Sequence, residues 1–322
     1  MIDSSLSFGD VSALNKAAGE PLRLEILRVL AQDSYGVLEL CEIFQHKQSG
    51  MSHHLKVLAE AGLVAKRREG NSIFYSRALP HVVDEFGALY QQLCATVDSI
   101  AISKLVAKRL QRTQEERAGQ SQQFFVEQAD KFKAQQDLIA EYPAYGEVVA
   151  ELLNKTVLLE RNVAVEVGPG AGECLPVLAQ QFDRVIALDN APTMLEKAKQ
   201  YCAERKLGNI DFIKGDTKCL LEKKSTVDCV LLNMVLHHTP SPADIFLDVS
   251  VCLKNKGALL ITDLCRHDQD WAKTACGDLW LGFDAEELEH WAALAGLRKG
   301  HSNYLALRNG FQIQLQQFFK VE

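Results

Sequence analysis

The sequence predicts two domains of different fold class. The first is an N-terminal α+β domain of short helices closed by a β-hairpin. The second is a C-terminal α/β domain with a mostly parallel sheet and an antiparallel last hairpin. Three observations carry this. Between residues 11 and 80, short stretches with apolar residues three and four apart give way to an alternating hairpin pattern. From residue 162 onward, apolar runs of strand length alternate with amphipathic runs of helix length. The tail holds two alternating segments around Arg308-Asn309-Gly310, a hairpin signal. A chain of 322 residues, 47% hydrophobic and 24% charged, is long enough for two domains with a core each. The expected division is 1–80, a segment 81–123 joining the two, and 124–322.

The first domain builds up element by element. In "LNKAAGEPLRLEILRVLAQ", Leu22, Ile26, Leu27 and Leu30 share one helical face and Pro21 sits at a helix start. "VLELCEIF" makes a short second helix, and "QSGMSHHLKVLAEAGL" a third, with Met51, Leu55 and Leu58 inward and Gly62 closing its end. The third helix then presents Gln48, Ser49, Ser52, His53 and Lys56 outward. Polar, mostly uncharged side chains at a helix N-terminus suit base edges in a major groove. "GLVAKRREGNSIFYSRAL" turns at Glu69-Gly70-Asn71, which places Arg67 and Arg68 near the tip of a hairpin suited to phosphate contact. The net charge of −7 is not that of a simple nucleic-acid binder, but its distribution matters more. Residues 47 to 77 carry Lys47, Lys56, Lys66, Arg67, Arg68 and Arg77 against Glu60 and Glu69 alone.

This arrangement is a winged helix-turn-helix. Around "EPLRLEILRVL", "SHHLKVLAEAGLV" and "RREGNSIFYS" it resembles the ArsR family of transcriptional repressors. The resemblance implies double-stranded operator DNA as partner and a homodimer joined by terminal helices. Many relatives sense metals through cysteines in the second helix. Here the matching positions are Gly36 and Leu38, and Cys41 stands alone. The other common site, on the last helix, finds His81, Asp84 and Glu85 but no second set of histidines. Without converging ligands, no metal is expected. Residues 81 to 118 read as one long helix, with Val82, Phe86, Leu89, Leu93, Val97 and Ile100 forming a stripe for a partner copy or for its own domain. The polar stretch "KRLQRTQEERAGQSQQ" reads as a linker, and "FFVEQADKFKAQQDLIAEYPAYGEVVAELL" as an amphipathic lead-in.

In the second domain, "NVAVEVGPGAGE" places Glu166 at the end of a buried strand, followed by Gly168, Gly170 and Gly172. Glycines there allow backbone conformations and approaches that a Cβ blocks. The helix that follows offers free N–H groups. The spacing is GxGxG rather than GxGxxG, which argues against a nicotinamide dinucleotide. "RVIALD" ends a second strand at Asp189, where a carboxylate can accept from ribose hydroxyls. A third strand, "IDFIKGD", ends at Asp216, where an adenine amino group could be read. A fourth ends near Asn233, His237 and His238, and a fifth, "GALLITDLC", follows a turn at Gly257. Ligands of open α/β sheets bind beyond the carboxyl ends of the strands, so Glu166, Asp189, Asp216 and Asn233 line one cleft. "FDAEELEHWAALAG" adds a helix capped by Asp284 with Glu287 three residues on.

Over residues 124 to 320 this pattern resembles the Rossmann-like class I methyltransferases, which use S-adenosylmethionine (SAM). The resemblance implies that the glycine loop and Glu166 hold the methionine part, Asp189 the ribose, and Asp216 with Thr217 the adenine edge. Phe132 could cover the ligand or be a core aromatic. His237 and His238 are candidate bases for methyl transfer, although a histidine at such a strand end more often bonds a loop. Methylation of arsenic would need converging thiolates, and Cys174, Cys219, Cys229, Cys265 and Cys276 show no paired spacing. Three functions stay open: a regulator sensing SAM or S-adenosylhomocysteine, a regulator that is also a small-molecule methyltransferase, and a methyltransferase whose winged helix only dimerises or binds a protein. No apolar run reaches membrane-span length, and "MIDSSLSFGD" has no signal-peptide character. Nine scattered cysteines suit reduced thiols, so a cytoplasmic protein is expected.

Overall fold

The computed structural model describes residues 7–79 and 85–321, with the backbone alone for residues 85, 129, 130 and 132. His81, Val82, Asp84 and the side chains of Glu85 and Phe132 lie outside the described residues. The chain divides into two units, Met1–Glu116 and Arg117–Glu322.

In the first unit, α1 (Phe8–Ala18) begins at a capping box in which Ser7 and Asp10 satisfy each other's backbone N–H. α2 (Pro21–Val29) starts on Pro21, whose fixed φ and missing N–H cost nothing at a first helical position. After the two-residue strand β1 (Tyr35–Gly36) come α3 (Val37–Phe44) and α4 (Gln48–Glu60). Gly62 ends α4 in the left-handed region at φ 69°, with its own N–H on Ala59 O and the Leu63 N–H on Leu58 O. β2 (Val64–Glu69) and β3 (Ser72–Arg77) form the wing, turned by Gly70 and Asn71, and the sheet order is β1-β3-β2 with antiparallel neighbours. Ile26, Leu27, Leu40, Ile43, Met51, Leu55 and Leu58 are fully buried and form the core. Ile26, Leu27, Leu30, Met51, Leu55 and Leu58 lie inward as the helical spacing predicts, while Leu22 is half-buried at the core's edge.

The expected single helix over 81–118 does not form. α5 (Glu85–Asp98) stops at Asp98, and α6 (Lys104–Gln136) starts after Ser103, whose hydroxyl accepts from the Val106 N–H. Asp98 takes both guanidinium nitrogens of Arg77, at 2.7 and 2.8 Å, which anchors the break to the wing. The polar stretch read as a linker lies inside α6. Its Lys, Arg, Gln and Glu residues are good helix formers, and Gly119 alone opposes them. The apolar stripe is divided. Phe86, Leu93 and the unforeseen Tyr90 pack on the unit's own core, and the Tyr90 hydroxyl donates to Leu63 O. Leu89 and Ile100 stay exposed at 39% and 58%.

The second unit takes in the rest of α6, then α7 (Tyr142–Lys155), β4 (Val163–Val167), α8 (Leu175–Gln181), β5 (Arg184–Asp189), α9 (Pro192–Glu204) and β6 (Ile210–Lys214). β7 (Val227–Asn233), α10 (Pro242–Cys252), β8 (Leu253–Leu264), α11 (Trp271–Ala275), α12 (Ala285–Leu294), β9 (Leu297–Ala306) and β10 (Gln312–Lys320) follow. The sheet order is β6-β5-β4-β7-β8-β10-β9. β6 to β8 are parallel and β10 pairs antiparallel with both β8 and β9. The chain leaves β4 to one side for β5 and returns to the other for β7, so the order reverses at β4 and opens a crevice there. Two boundaries differ from expectation. β6 ends at Lys214, leaving Asp216 to cap a short 3-10 turn, and β8 begins at Leu253, so Gly257 lies within it. The pairing of β8 with β7 jumps from Val227↔Leu253 to Cys229↔Ala258 and Lys256 is left-handed at φ 64°, so a bulge leads into Gly257, whose Cβ would lie 2.8 Å from Lys254 O and 3.1 Å from Asp228 O. No helix among the described residues is long and apolar enough to cross a membrane.

Candidate functional site

β4 delivers Glu166 and then breaks into three left-handed glycines, Gly168 at φ 64°, Gly170 at 55° and Gly172 at 87°. Their surroundings separate their roles. A Cβ on Gly168 would meet Val235 Cγ2 at 2.6 Å, and one on Gly172 would meet Ala198 Cα at 3.1 Å, whereas one on Gly170 would meet nothing within 4 Å. The first and third glycines let the loop pack. The middle one faces open space.

Beneath the loop, Glu166 is 1% exposed and its Oε2 has no hydrogen-bond partner among the described residues. Burial, and then the neighbouring Asp189 charge, push its carboxyl up to about 8. Asp189, at the end of β5, is pushed up to about 6 by burial, while its Oδ1 accepts from the Ala191 N–H at 2.8 Å. Asn233 ends β7, and its buried Oδ1 is also without a partner among the described residues. Buried polar atoms are normally satisfied. Two that are not stand on the neighbouring strands β4 and β7, toward their C-terminal ends. Asp216 is exposed and caps the turn through the Lys218 N–H, and the Thr217 hydroxyl donates to Asp248 at 2.6 Å. The Thr217 side chain is therefore engaged away from the cleft.

His237 and His238 lie in the 3-10 turn after β7 and are buried. Burial works against a charge on His237, but Asp263, bonded to its Nδ1 at 2.7 Å, and Asp278 outweigh it and raise it to about 9. Burial and the neighbouring His237 hold His238 well below its ordinary value. An imidazole that already carries its proton cannot accept one at neutral pH.

Sequence patterns missed several groups here. Tyr142 and Tyr145 stand on α7 with ring centroids 5.5 Å apart, and burial raises both hydroxyls. In the C-terminal part of α6, Phe124 and Phe125 pack on Ala191 and Met194, just beyond Asp189, and Gln122 donates to Asn190 O. Ser121 donates to His238 O, and Phe125 meets the His238 ring edge-on at 5.1 Å. Two adjacent phenylalanines in the polar run "QSQQFFVEQ" were the available signal.

On the reader, Gln48, Ser49, Ser52, His53 and Lys56 are all exposed on α4. The wing requires one correction. Arg68 is exposed, but Arg67 is 5% exposed and pairs with the buried Glu69. Consecutive strand residues face opposite sides, so Arg67 and Glu69 turn inward while Lys66 and Arg68 share the outer face.

The molecule is thus a winged-helix DNA reader joined to a Rossmann-like methyltransferase fold. Residues 20–66 match the profile of the bacterial regulatory proteins of the arsR family, and residues 165–261 that of a methyltransferase domain. The arsenical resistance operon repressor of Staphylococcus xylosus is 37% identical over 70 residues, which are 22% of this chain and 67% of the relative. The biofilm growth-associated repressor of Agrobacterium fabrum is 36% identical over 91 residues, 28% of this chain and 78% of the relative. The chain belongs to the arsR family of regulatory proteins and carries a methyltransferase domain behind the DNA reader. Among solved structures, one chain of the complex pairing the Haloferax volcanii Trm112 methyltransferase activator with a methyltransferase aligns at a TM-score of 0.50. It is 16% identical, and the match covers 63% of this chain and 98% of that one, which shows the fold.

Proposed function

We propose that this transcription regulator binds SAM or S-adenosylhomocysteine in its methyltransferase domain and that occupancy sets its affinity for operator DNA. The observation that supports it is the cradle under the glycine loop: a buried Glu166 beside Asp189, its Oε2 without a hydrogen-bond partner among the described residues, with open space around Gly170. Both ligands carry an amino-acid ammonium and a ribose, and SAM also supplies an activated methyl group. In this assignment Glu166 and the loop take the methionine end and Asp189 the ribose hydroxyls. Asn233 lines the cleft floor. Asp216 reads the adenine edge, with Thr217 contributing through its backbone because its hydroxyl is held by Asp248.

The burial of both histidines, with His237 held on Asp263 through Nδ1, favours a gauge over a catalyst, since neither is poised as a base for an acceptor. On the reader side, Gln48, Ser49, Ser52 and His53 would meet base edges, and Lys56, Lys66 and Arg68 phosphates. A two-fold dimer would set two such helices about one DNA turn apart. The functional division proposed is a reader at 1–80, a dimerising segment at 81–123 and a ligand domain at 124–322. A ligand controls DNA binding only through a differential affinity for two states, and the coupling is reciprocal. Calorimetry with each ligand, with and without operator DNA, tests this. The expected result is a ligand affinity that changes when DNA is present, matched by the same factor in DNA affinity when ligand is present. Unchanged DNA affinity at saturating ligand overturns the coupling. Methyl transfer from labelled SAM to a small acceptor would instead favour an active enzyme.

A further inference from the structure

Among the described residues, three metal-ligating side chains converge inside the second unit. They are His237, His238 and Asp278, all buried, with one donor atom from each within 4.8 Å of the others. Asp278 Oδ1 lies 3.9 Å from His237 Nε2 and 3.6 Å from His238 Nδ1. Both separations exceed a hydrogen bond. A tetrahedral zinc ion with bonds of about 2.0–2.1 Å sets neighbouring ligand atoms about 3.4 Å apart. The two separations from Asp278 would close by about 0.2–0.5 Å, and the two imidazole donors, within 4.8 Å of each other, by at most about 1.4 Å, to bring all three onto one ion.

The surroundings are built to hold this geometry. His237 Nδ1 donates to Asp263 Oδ1 at 2.7 Å, and Asp263 is itself fixed by the Leu236 and Leu264 N–H groups at 2.8 Å each. A carboxylate behind the histidine fixes its tautomer and turns its other nitrogen to the metal. His237 O accepts from both the Leu279 and Trp280 N–H groups, at 2.9 and 3.1 Å, and Trp280 Nε1 donates to Thr239 O at 2.7 Å. The loop bearing Asp278 is therefore stitched to the turn bearing the histidines. Gly277, left-handed at φ 76°, leaves room for the Phe124 ring, which would lie 2.4 Å from a Cβ there.

We propose that His237, His238 and Asp278 bind one divalent transition-metal ion of the zinc class, with Asp263 as the positioning residue behind His237. Imidazole and carboxylate donors without a thiolate suit zinc, iron(II), cobalt(II) or nickel rather than a soft ion. With the ion in place, His237 Nε2 carries no proton and Nδ1–H stays on Asp263. The ion replaces the contact of His238 Nδ1 with Gly277 O, now 3.3 Å. Its two positive charges offset the carboxylates of Asp263 and Asp278. Three protein donors leave a fourth coordination position. The site needs neither the SAM-type ligand nor the metal positions of the reader helices.

The test uses the full-length chain, stripped with chelator, desalted and titrated with Co²⁺ and then Zn²⁺. The expected result is one equivalent per chain, with visible cobalt d–d bands, no thiolate-to-cobalt charge transfer, and displacement by Zn²⁺. His238→Gln and Asp278→Asn should each lose that equivalent while circular dichroism stays native. Asp263→Asn should keep the stoichiometry but bind about 10–100-fold more weakly. Absence of stoichiometric binding by the folded wild-type chain, a thiolate band, or a full equivalent in Asp278→Asn overturns the site. Where the ligand variants fail to fold, X-ray absorption on the zinc-loaded wild type decides: a nitrogen and oxygen shell supports the site and sulfur overturns it.

Discussion

Replacing Glu166 by glutamine should stabilise the ligand-free protein, and do so more as pH rises. The Glu166 carboxyl, ordinarily near 4.5, is raised to about 8 in the fold because it is buried, with Asp189 close by. A carboxyl raised in the folded state contributes most below its unfolded value and loses that contribution as pH climbs to its folded value. Between about pH 4.5 and 8 the unfolded chain has ionised this group and the folded chain has not. At pH 7 folding must then take up nearly one proton, which costs roughly 3 kcal/mol, and above pH 8 the cost levels off near 5 kcal/mol. A glutamine in its place carries no such cost, although its buried amide loses about 1–3 kcal/mol where partners are lacking. That loss does not depend on pH. The stability difference between Glu166→Gln and wild type should therefore widen by about 1.2 kcal/mol per pH unit on average from 5 to 8.

Urea unfolding at a series of pH values, followed by a probe in the second unit, measures this directly. Asp189, raised to about 6 by burial, adds the same sign to both proteins, and its charge acts on Glu166 only in the wild type, where it adds to the difference above about pH 6. On the proposed placement of the ligand's ammonium beside Glu166, adding S-adenosylhomocysteine should reverse the ranking, because that ammonium favours ionisation in the wild type and meets a neutral amide in the variant. A difference that stays flat from pH 5 to 8 would refute the idea that Glu166 is held neutral in an empty cradle.

Three further sets of outcomes follow from side-chain placement. Arg67→Ala should cost the reader about 3–5 kcal/mol in thermal or urea unfolding, because it strips the buried Glu69 of its ion pair. Arg68→Ala should leave stability within about 0.5 kcal/mol and reduce the salt dependence of operator binding by about one phosphate contact, read by fluorescence anisotropy. Gly168→Ala should cost about 2–4 kcal/mol, since its Cβ would meet Val235 at 2.6 Å on a left-handed backbone. Gly170→Ala, with open space around it, should cost about 1–2 kcal/mol of backbone strain and show its larger effect in ligand calorimetry. Ile100→Glu, at a position 58% exposed, should lower the self-association measured by light scattering without lowering the stability of the unit.

What was legible in the sequence was local. Pro21 at a helix start, Gly62 at a helix end, the Gly70-Asn71 turn and the glycine loop after Glu166 each place a residue where its own backbone chemistry demands it. The strand ends at Asp189 and Asn233 follow from runs whose length and β-branched content leave little choice. Charge and polarity alone misled. "RR" offers both Arg67 and Arg68 to phosphate until the period of two is applied, and that period sends Arg67 inward to Glu69. The run "KRLQRTQEERAGQSQQ" reads as a linker by polarity, yet its helix formers extend α6 through it.

The buried polar cluster was beyond any spacing rule. His237 and Asp263 lie on different strand-end segments and Asp278 on a loop further along, and only the pairing of β7 with β8 and the stitching of the Leu279 and Trp280 N–H groups to His237 O bring them together. The same assembly changes what the histidines can do. From the sequence, two histidines after a strand are candidate bases. In the fold, one is gripped by carboxylates on either side and the other is packed under Phe125. Their setting is that of fixed side chains rather than of groups that exchange protons with a passing substrate. On the proposed reading, a domain with an ionisable Glu166 under its glycine loop and two immobilised histidines would report occupancy rather than turn over an acceptor.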